Sequence, residues 1–433
     1  MYISNNYSKN YSKNYYNNIL DNILDVFDNN ELINNNNLLE LNYTAYDLIY
    51  NYILDNIQYI IYYDFDSVLK EDIHELLTIQ FDNIFEKSHE KIFDLKLRNI
   101  INNNINKVYN KLIPPRSYKK SFIRKIIKNS NKISEKIDYI KSLPQPEQRT
   151  EEWYIFRHKL LTASSIWKVF KSDSTRNQLI YEKCKPYSVP NMNHVESSLH
   201  WGHKYEPVSV NLYENLYNTK VGDFGCIQHP KYPYIGASPD GINIDSENIR
   251  YGRMLEIKNI VNRVIDGIPK MEYWIQMQIQ METCNLNECD FLETHFIEYE
   301  NYNAFINDGN FNYTKDNKFK GIILAFTHEN NIYYEYAPFY NSESEFKKWE
   351  KDILDKNIDL EREWAQNIYW KLEKYSNVLV LRNKLWFNSV KDEIKNLWEI
   401  IEREKINGYE HRAPNKRSKV NNITNENKCL INI

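Results

Sequence analysis

Between about Tyr43 and Asn110 apolar residues recur at helical spacing, as in Leu76, Ile79, Phe81, Ile84 and Phe85, with acids and lysines between them. That period predicts an all-helical stretch. L-P-Q-P-E-Q at 143–148 then interrupts regular structure and reads as a linker. Beyond it the pattern shortens. Trp153 and Arg157 fall on one predicted helix, and Thr162 and Ser164 are cap candidates for the next, at about 165–171. Val208, Leu212 and Leu216 form the buried stripe of a further helix, which Pro207 is expected to start or kink beside Glu206. Val221 to His229 and Tyr234 to Ala237 read as strands. Ser238-Pro239-Asp240-Gly241 has turn chemistry, and the strand R-M-L-E-I-K-N follows at 253–259. Met271 to Glu282 alternates apolar residues with Gln as a strand would, but its residue types and Pro269 favour helix, and helix is the expectation. Asp290 to Glu298, Lys320 to Phe326 and Ile332 to Ala337 read as closing strands, after which the chain is expected to return to helix.

These elements suggest five regions. Residues 1–38 form an Asn-rich leader expected to be disordered, 39–145 a helical N-terminal domain with a basic end, 146–340 an α/β core, 341–410 a C-terminal helical region, and 411–433 a basic disordered tail. With 433 residues and 42% apolar side chains there is material for two or three domains. The net charge of −4 excludes a polycation, so affinity for nucleic acid must come from local patches. One candidate patch is the run from Lys107 to Lys136, where Glu135 is the single acid; it reads as a DNA contact or, more commonly for such runs, a solvated helix face. Five cysteines, in no metal-pair spacing, argue against a disulfide framework and for a reducing compartment. With no signal-peptide pattern and no apolar run of bilayer length, a soluble intracellular protein is expected. The 35 Tyr against 10 Gly, with heavy use of Asn, Ile and Lys, reflect an AT-rich genome more than a fold.

Chemistry concentrates after Tyr232. Asp240 should be presented at a strand end, while Glu256 and Lys258, two apart on a strand, share one face. Two carboxylates and an ammonium suit divalent-metal phosphodiester cleavage, although E-x-K also arises by chance. Arg157 beside the hydroxyls of Thr162 and Ser164 is either a phosphate seat or, on this segment alone the better account, capping plus a surface arginine. His200, His203 and Glu206 imitate zinc spacing, but Pro207 breaks the face and no further ligands are evident, so the histidines are expected to be structural or near DNA. On the helix at 271–282, Tyr273, Gln276 and Gln280 share a face that could point at the acids.

Read in order, W-x3-R-x4-T-A-S at Trp153 to Ser164, W-G-x3-E at Trp201 to Glu206, S-P-D-G at Ser238 to Gly241, E-x-K at Glu256 to Lys258 and Y-x2-Q-x-Q at Tyr273 to Gln278 resemble the lambda-exonuclease or YqaJ-type viral recombinase family, a branch of the PD-(D/E)xK nucleases. The resemblance covers about Arg149 to Ala337. It implies an α/β (α+β) fold: a restriction-endonuclease-like core, its mixed central sheet flanked by helices, with helical N- and C-terminal regions added. It further implies that Asp240, Glu256 and the backbone carbonyl of Ile257 ligate Mg²⁺ or Mn²⁺, as two ions, with Glu206 contributing. Lys258 would assist the water and Gln276 orient the site. Arg157 and Ser164 would bind a 5′-phosphate, with Thr162, Ser238 and Tyr273 beside them on the DNA. The implied activity is 5′ to 3′ digestion of duplex ends in recombination, replication or repair. A structure-selective endonuclease or single-strand nuclease of the same fold is the alternative, and an inert DNA-binding protein is another. An acidic pocket that repels phosphate weighs against the last. Relatives with an iron–sulfur cluster are disfavoured, because the cysteines form no four-ligand set. The implied partners are duplex DNA with free ends and a single-strand annealing protein, with no membrane. The added regions put a ring-shaped trimer in question and leave the oligomeric state open. Composition and family together suggest a large DNA virus, hence the host cytoplasm, a virus factory or the virion.

Overall fold

The structure, a computed structural model, describes residues 35–81, 90–124, 130–188, 198–329, 331–339 and 342–413. Most of the expected leader and all but the first residues of the expected tail lie outside these. Before the linker the described residues are helical, as expected: α1 (Asn35–Asp55), α2 (Phe65–Phe81), α3 (Glu90–Lys111) and α4 (Ser130–Ser142); of the residues that carried the expected period, Ile79 is exposed, and Ile84 and Phe85 lie outside the described residues. Ile49 and Ile53 of α1, Leu69, Ile73 and Leu77 of α2, and Leu97, Ile101 and Ile105 of α3 repeat every fourth residue and are all buried.

Past the linker come α5 (Glu151–His158), β1 (Leu161–Thr162), α6 (Ala163–Ile166) with a 3₁₀ turn to Phe170, and α7 (Asp173–Cys184). The helix expected at 165–171 thus starts two residues earlier and ends as a 3₁₀ turn. α8 (Ser198–Tyr217) contains Pro207 in its interior, so of the expected start or kink the start does not occur there. The proline removes one main-chain donor, but Tyr205, Val208, Leu212 and Tyr213 on the same helix are buried, and that packing holds the helix together. The strand expected at 221–229 is two short ones, β2 (Val221–Gly222) and β3 (Ile227–Gln228). β4 (Ile235–Ala237), β5 (Gly241–Asn243), β6 (Met254–Asn259), α9 (Met271–Thr283) and β7 (Glu288–Glu298) follow. The rest comprises α10 (Tyr302–Asn307), β8 (Lys320–His328), β9 (Asn331–Tyr336), α11 (Glu343–Asp359), β10 (Glu363–Leu381) and α12 (Lys384–Asn407).

The main sheet is seven-stranded, in the order β2-β5-β6-β7-β10-β8-β9. Within this sheet, among the described residues, only β6 and β7 pair in parallel, and α9 is the crossover between them. A small sheet, β1-β4-β3, stands apart. The fold is therefore a mixed α/β architecture, as expected. The region from 341 to 410, expected to be helical, instead carries the longest strand: β10 runs 19 residues and fills the place between β7 and β8. Its first half alternates, with Ile368, Trp370 and Leu372 buried between more exposed residues. Its second half, Val378 to Leu381, is buried on both faces and gives no alternation to read. The sheet consequently extends beyond residue 340.

One hydrophobic cluster runs from Leu41 in α1 through Trp274 in α9 to Ile401 in α12. The main-chain N–H groups of Tyr118 and Ser121 donate to Leu379 and Asn377 of β10, tying the N-terminal half to the sheet. Cys184, Cys226, Cys284 and Cys289 are free and buried. Among the described residues no helix is long and apolar enough to cross a membrane.

The linker is itself fixed. Gln145 accepts from the Gly225 N–H at 2.9 Å, and Gln148 donates to the Phe224 carbonyl at 2.8 Å. A Cβ on Gly225 would lie 2.2 Å from the Pro146 carbonyl oxygen, a main-chain atom that cannot simply turn aside. Gly225→Ala is expected to destabilise the fold by about 1–3 kcal/mol in chemical denaturation and to increase proteolytic cleavage around 145–149.

Candidate active site

The β5–β6 pairing places Gly241 opposite Leu255, and one residue further along the same register Asp240 faces Glu256. Asp240 stands at the start of β5, and its Oδ2 accepts the Ile257 main-chain N–H at 2.7 Å. Glu256 is completely buried. One of its oxygens pairs with the Lys258 ammonium, as strand alternation requires, and the other accepts from Gln280 Nε2 at 2.7 Å. Lys258 is about 24% exposed and lies 5.1 Å from the centre of the Tyr273 ring.

The crossover explains which glutamine reaches the acids. α9 starts beyond the end of β6 and runs back along it, so its first turn meets Lys258 through Tyr273 and its last turn meets Glu256 through Gln280. The orienting contact expected of Gln276 therefore falls to Gln280, one turn later on the same face. Gln276 is half-buried, whereas Gln280 is fully buried and also reaches the Ser238 carbonyl at 3.3 Å.

Glu206, on α8, accepts from Arg149 at 2.7 Å. Arg149 comes from the end of the linker and holds a left-handed φ of 70°. No pattern in the sequence pairs these residues; only the folding of the linker onto the core does. The histidines near Glu206 take other roles: His200 hydrogen-bonds the Tyr334 hydroxyl at 2.6 Å, and burial with the charge of Arg149 pushes His203 down to about 4.

Arg157 extends along α5 with its guanidinium 4.1 Å from the Trp153 ring centre. It donates to Ser238 Oγ at 3.0 Å and to Ser164 Oγ at 3.1 Å. Thr162 Oγ1 lies 3.3 Å from Ser164 Oγ, but the Thr162 side chain does not cap α6. Lys183, which the sequence did not single out, donates to the Arg157 carbonyl at 2.9 Å. Burial and the neighbouring Arg157 charge push Lys183 down to about 8. Ser238 joins the two groups, since its hydroxyl meets Arg157 while its carbonyl meets Gln280 and its chain leads directly into Asp240.

Electrostatically the acids are crowded. Burial, then Glu256 and Glu206, raise the Asp240 carboxyl well above its ordinary value against Lys258 and the Ile257 N–H. Burial raises Glu206 against Arg149 and Lys258. Lys258 is raised too: burial opposes its charge, but Glu256 and Asp240 outweigh it. Asp240, Glu256 and the Ile257 carbonyl are hard oxygen donors of the type Mg²⁺ and Mn²⁺ take. Among the described residues no three His, Cys, Asp or Glu side chains are grouped tightly enough to hold one ion, and Glu206 is engaged by Arg149. The donor chemistry fits a divalent ion on Asp240 and Glu256, with Glu206 as a third oxygen source only once it leaves Arg149.

Residues 152–287 match the model of the YqaJ-like viral recombinase domain. An uncharacterised protein, R354, of Acanthamoeba polyphaga mimivirus is 29% identical over 324 residues, covering 66% of this chain; the chain spans 58% of that protein's length. Among solved structures, an alkaline exonuclease (LHK-Exo) from Laribacter hongkongensis aligns with a TM-score of 0.37 and 19% identity, covering 59% of this chain and 94% of that one. A phage-related exonuclease from Haemophilus somnus 129PT aligns with a TM-score of 0.32 and 12% identity, covering 56% of this chain and 94% of its own.

Replacing Gln280 leaves a buried Glu256 oxygen without its donor. Gln280→Leu is expected to cost about 1–3 kcal/mol in chemical denaturation, and Gln276→Leu less than about 0.5 kcal/mol. Equal losses in the two variants would remove the distinction drawn between them.

Proposed function

We propose, from the match of residues 152–287 to the YqaJ-like viral recombinase domain together with the geometry of the site, that the protein is a metal-dependent deoxyribonuclease that digests duplex DNA from its ends, 5′ to 3′. The observation that carries this reading is the junction at Ser238, where an acid pair suited to phosphodiester hydrolysis adjoins an arginine clamp suited to a terminal phosphate. A terminal 5′-phosphate carries up to about two charges and three free oxygens, against one charge on an internal phosphodiester, so a fixed guanidinium fork flanked by hydroxyls favours ends.

In this reading Asp240 and Glu256, with the Ile257 carbonyl, hold Mg²⁺ or Mn²⁺, and Glu206 contributes when Arg149 releases it. A bound divalent ion supplies an activated water and neutralises charge on the scissile phosphate. Lys258 keeps its proton, held by the two acids, and offers positive charge where the phosphorane develops. Gln280 fixes the Glu256 oxygens against rotation. Arg157, Ser164, Thr162 and Ser238 seat the 5′-phosphate, and Tyr273 flanks the strand beside Lys258. Trp153 under the guanidinium and Lys183 behind the Arg157 carbonyl keep the clamp in place. The single strand left by such resection is the substrate of an annealing protein, the partner class this reading implies.

The test uses purified full-length protein with Mg²⁺ or Mn²⁺ on linear duplex bearing 5′-phosphate or 5′-hydroxyl ends, and on closed circles. Linear 5′-phosphorylated duplex should be digested fastest and closed circles spared. Asp240→Asn and Glu256→Gln should abolish cleavage while DNA binding persists, and Lys258→Ala should lower the rate by about 10² or more. Near wild-type cleavage by either acid variant would refute the site. A second prediction isolates the clamp: Arg157→Ala should slow the 5′-phosphorylated substrate far more than the 5′-hydroxyl one, making the two nearly alike. Equal slowing of both, or cutting of circles by the wild type, would favour an endonuclease.

A further inference from the structure

A cavity of about 440 Å³, lined by none of Asp240, Glu256 and Lys258, opens between the turn before α2, the segment around Arg116 and the loop joining β6 to α9. Arg116, which lines it, is 7% exposed, and among the described residues none of its three guanidinium nitrogens has a hydrogen-bond partner or measurable contact with water. A buried guanidinium with unused donors is a costly arrangement unless an anion completes it. The carboxylates nearby do not: Asp66, Glu272 and Asp266 act on Arg116 through their charge, but among the described residues none hydrogen-bonds its guanidinium. Nor is the position loosely held, because the Arg116 carbonyl accepts from Trp274 Nε1 at 2.7 Å, inside the shared core. Burial pulls Arg116 down to about 10, which still leaves it a cation at neutral pH.

The rest of the lining has a consistent chemistry. Lys119 adds a second, exposed cation. Tyr63 stands 80% exposed with Tyr62 beside it, so apolar ring faces are offered at the solvent side. Asp66 and Asp266 supply acceptors for N–H or O–H groups. One cationic end, aromatic faces and carboxylate acceptors together match a ligand that is both a phosphate and an aromatic heterocycle with exocyclic donors.

We propose that this cavity is a second nucleotide-binding site, in which Arg116 and Lys119 take the phosphate and Tyr62 and Tyr63 receive the base. Because the guanidinium nitrogens are closed to water as they stand, occupancy requires the Arg116 side chain to turn about its torsions toward the cavity. Two sources share this chemistry: a free mononucleotide, or one unit of a single strand passing over the N-terminal half. The wall of the cavity includes Gly267 and Ile268, from the loop that leads from Lys258 to Tyr273, so an occupant touches the segment that connects the two. The proposal stands independently of the nuclease reading.

The test is calorimetric binding to the full chain in EDTA, where hydrolysis is blocked, with dAMP, deoxyadenosine, inorganic phosphate and a short oligothymidylate as probes. Arg157→Ala serves as the background, because it disables the other phosphate seat. On it, dAMP should bind one saturable site, and Lys119→Glu or Tyr63→Ala should each weaken that site by about tenfold or more, the scale of one lost stacking or charge contact. Deoxyadenosine and phosphate alone should bind at least as much more weakly. Oligothymidylate showing the same dependence on Lys119 and Tyr63 assigns the site to a strand, and dAMP alone showing it assigns it to free nucleotide. Arg116→Met should abolish binding if circular dichroism shows it folded, and the two exposed substitutions decide the matter if it is not. Absence of saturable dAMP binding at millimolar concentration, binding unaltered by Lys119→Glu and Tyr63→Ala, or phosphate binding as tightly as dAMP would each overturn the proposal.

Discussion

A carboxylate that water does not reach sets the terms for the centre of this molecule. Glu256 lies inside the sheet, where an ionised acid is tolerated only if both oxygens are satisfied and a countercharge is at hand. Strand alternation supplies the countercharge from two residues on, Lys258, and the returning helix supplies the second donor, Gln280. Asp240 adds a second acid across the β5–β6 pair, and the Ile257 N–H, free for it at the end of the short β5, steadies that one. Burial and the neighbouring acids hold the Asp240 carboxyl up, against the opposing pull of Lys258 and the Ile257 N–H, and the partners that steady the cluster come from both β6 and α9.

The neighbouring arginine clamp depends on the same segment. Ser238 must be held both by Arg157 and by Gln280 for Asp240 to leave the turn in the right direction, so clamp and acids share one stretch of backbone. The linker presses on this arrangement from the other side. Arg149 adopts a left-handed φ of 70°, which for a side-chain-bearing residue costs on the order of 1 kcal/mol, and reaches Glu206 at 2.7 Å. Gln145 and Gln148 hold the linker down, which is how that conformation is sustained.

What could be read from the sequence was what is local. The Ser238-Pro239-Asp240-Gly241 turn and the Glu256/Lys258 alternation are fixed by neighbours a few residues apart, and the structure sets both where their residue types imply. The period in α1 to α3 was equally legible. The misses have long-range causes. β10 was taken for helix because half of it is buried on both faces and shows no period, and its identity as a strand is decided by partners at 288–298 and 320–327. Gln276 and Gln280 are indistinguishable on a helical wheel. Only the antiparallel course of α9 along β6 selects the second. Pro207 was read as starting or kinking its helix because its backbone cost is local, and that the helix does not start there follows from the burial of residues on both sides of it.

The basic run from Lys107 to Lys136 shows how far a charge pattern is from a surface. Arg116 is buried, Arg124 lies 3.7 Å from Glu288, Lys111 sits over the Tyr46 ring, and Lys136 donates to the Asn285 carbonyl at 2.7 Å. Arg124 and Lys136 therefore bind the region before the linker to the core, and the run does not face solvent as one stripe. Exposed Lys119 and Lys120 remain available for a phosphate. The same attachment argues against treating the helices before the linker as a detachable module. Trp274 of α9 is buried in a cluster that α1 to α3 complete, and its indole N–H is satisfied by Arg116. Removing the segment before the linker would expose that cluster and leave a buried donor, on the helix that carries both Tyr273 and Gln280, without its acceptor. The N-terminal half thus supports the acids mechanically, through α9, whatever else it binds.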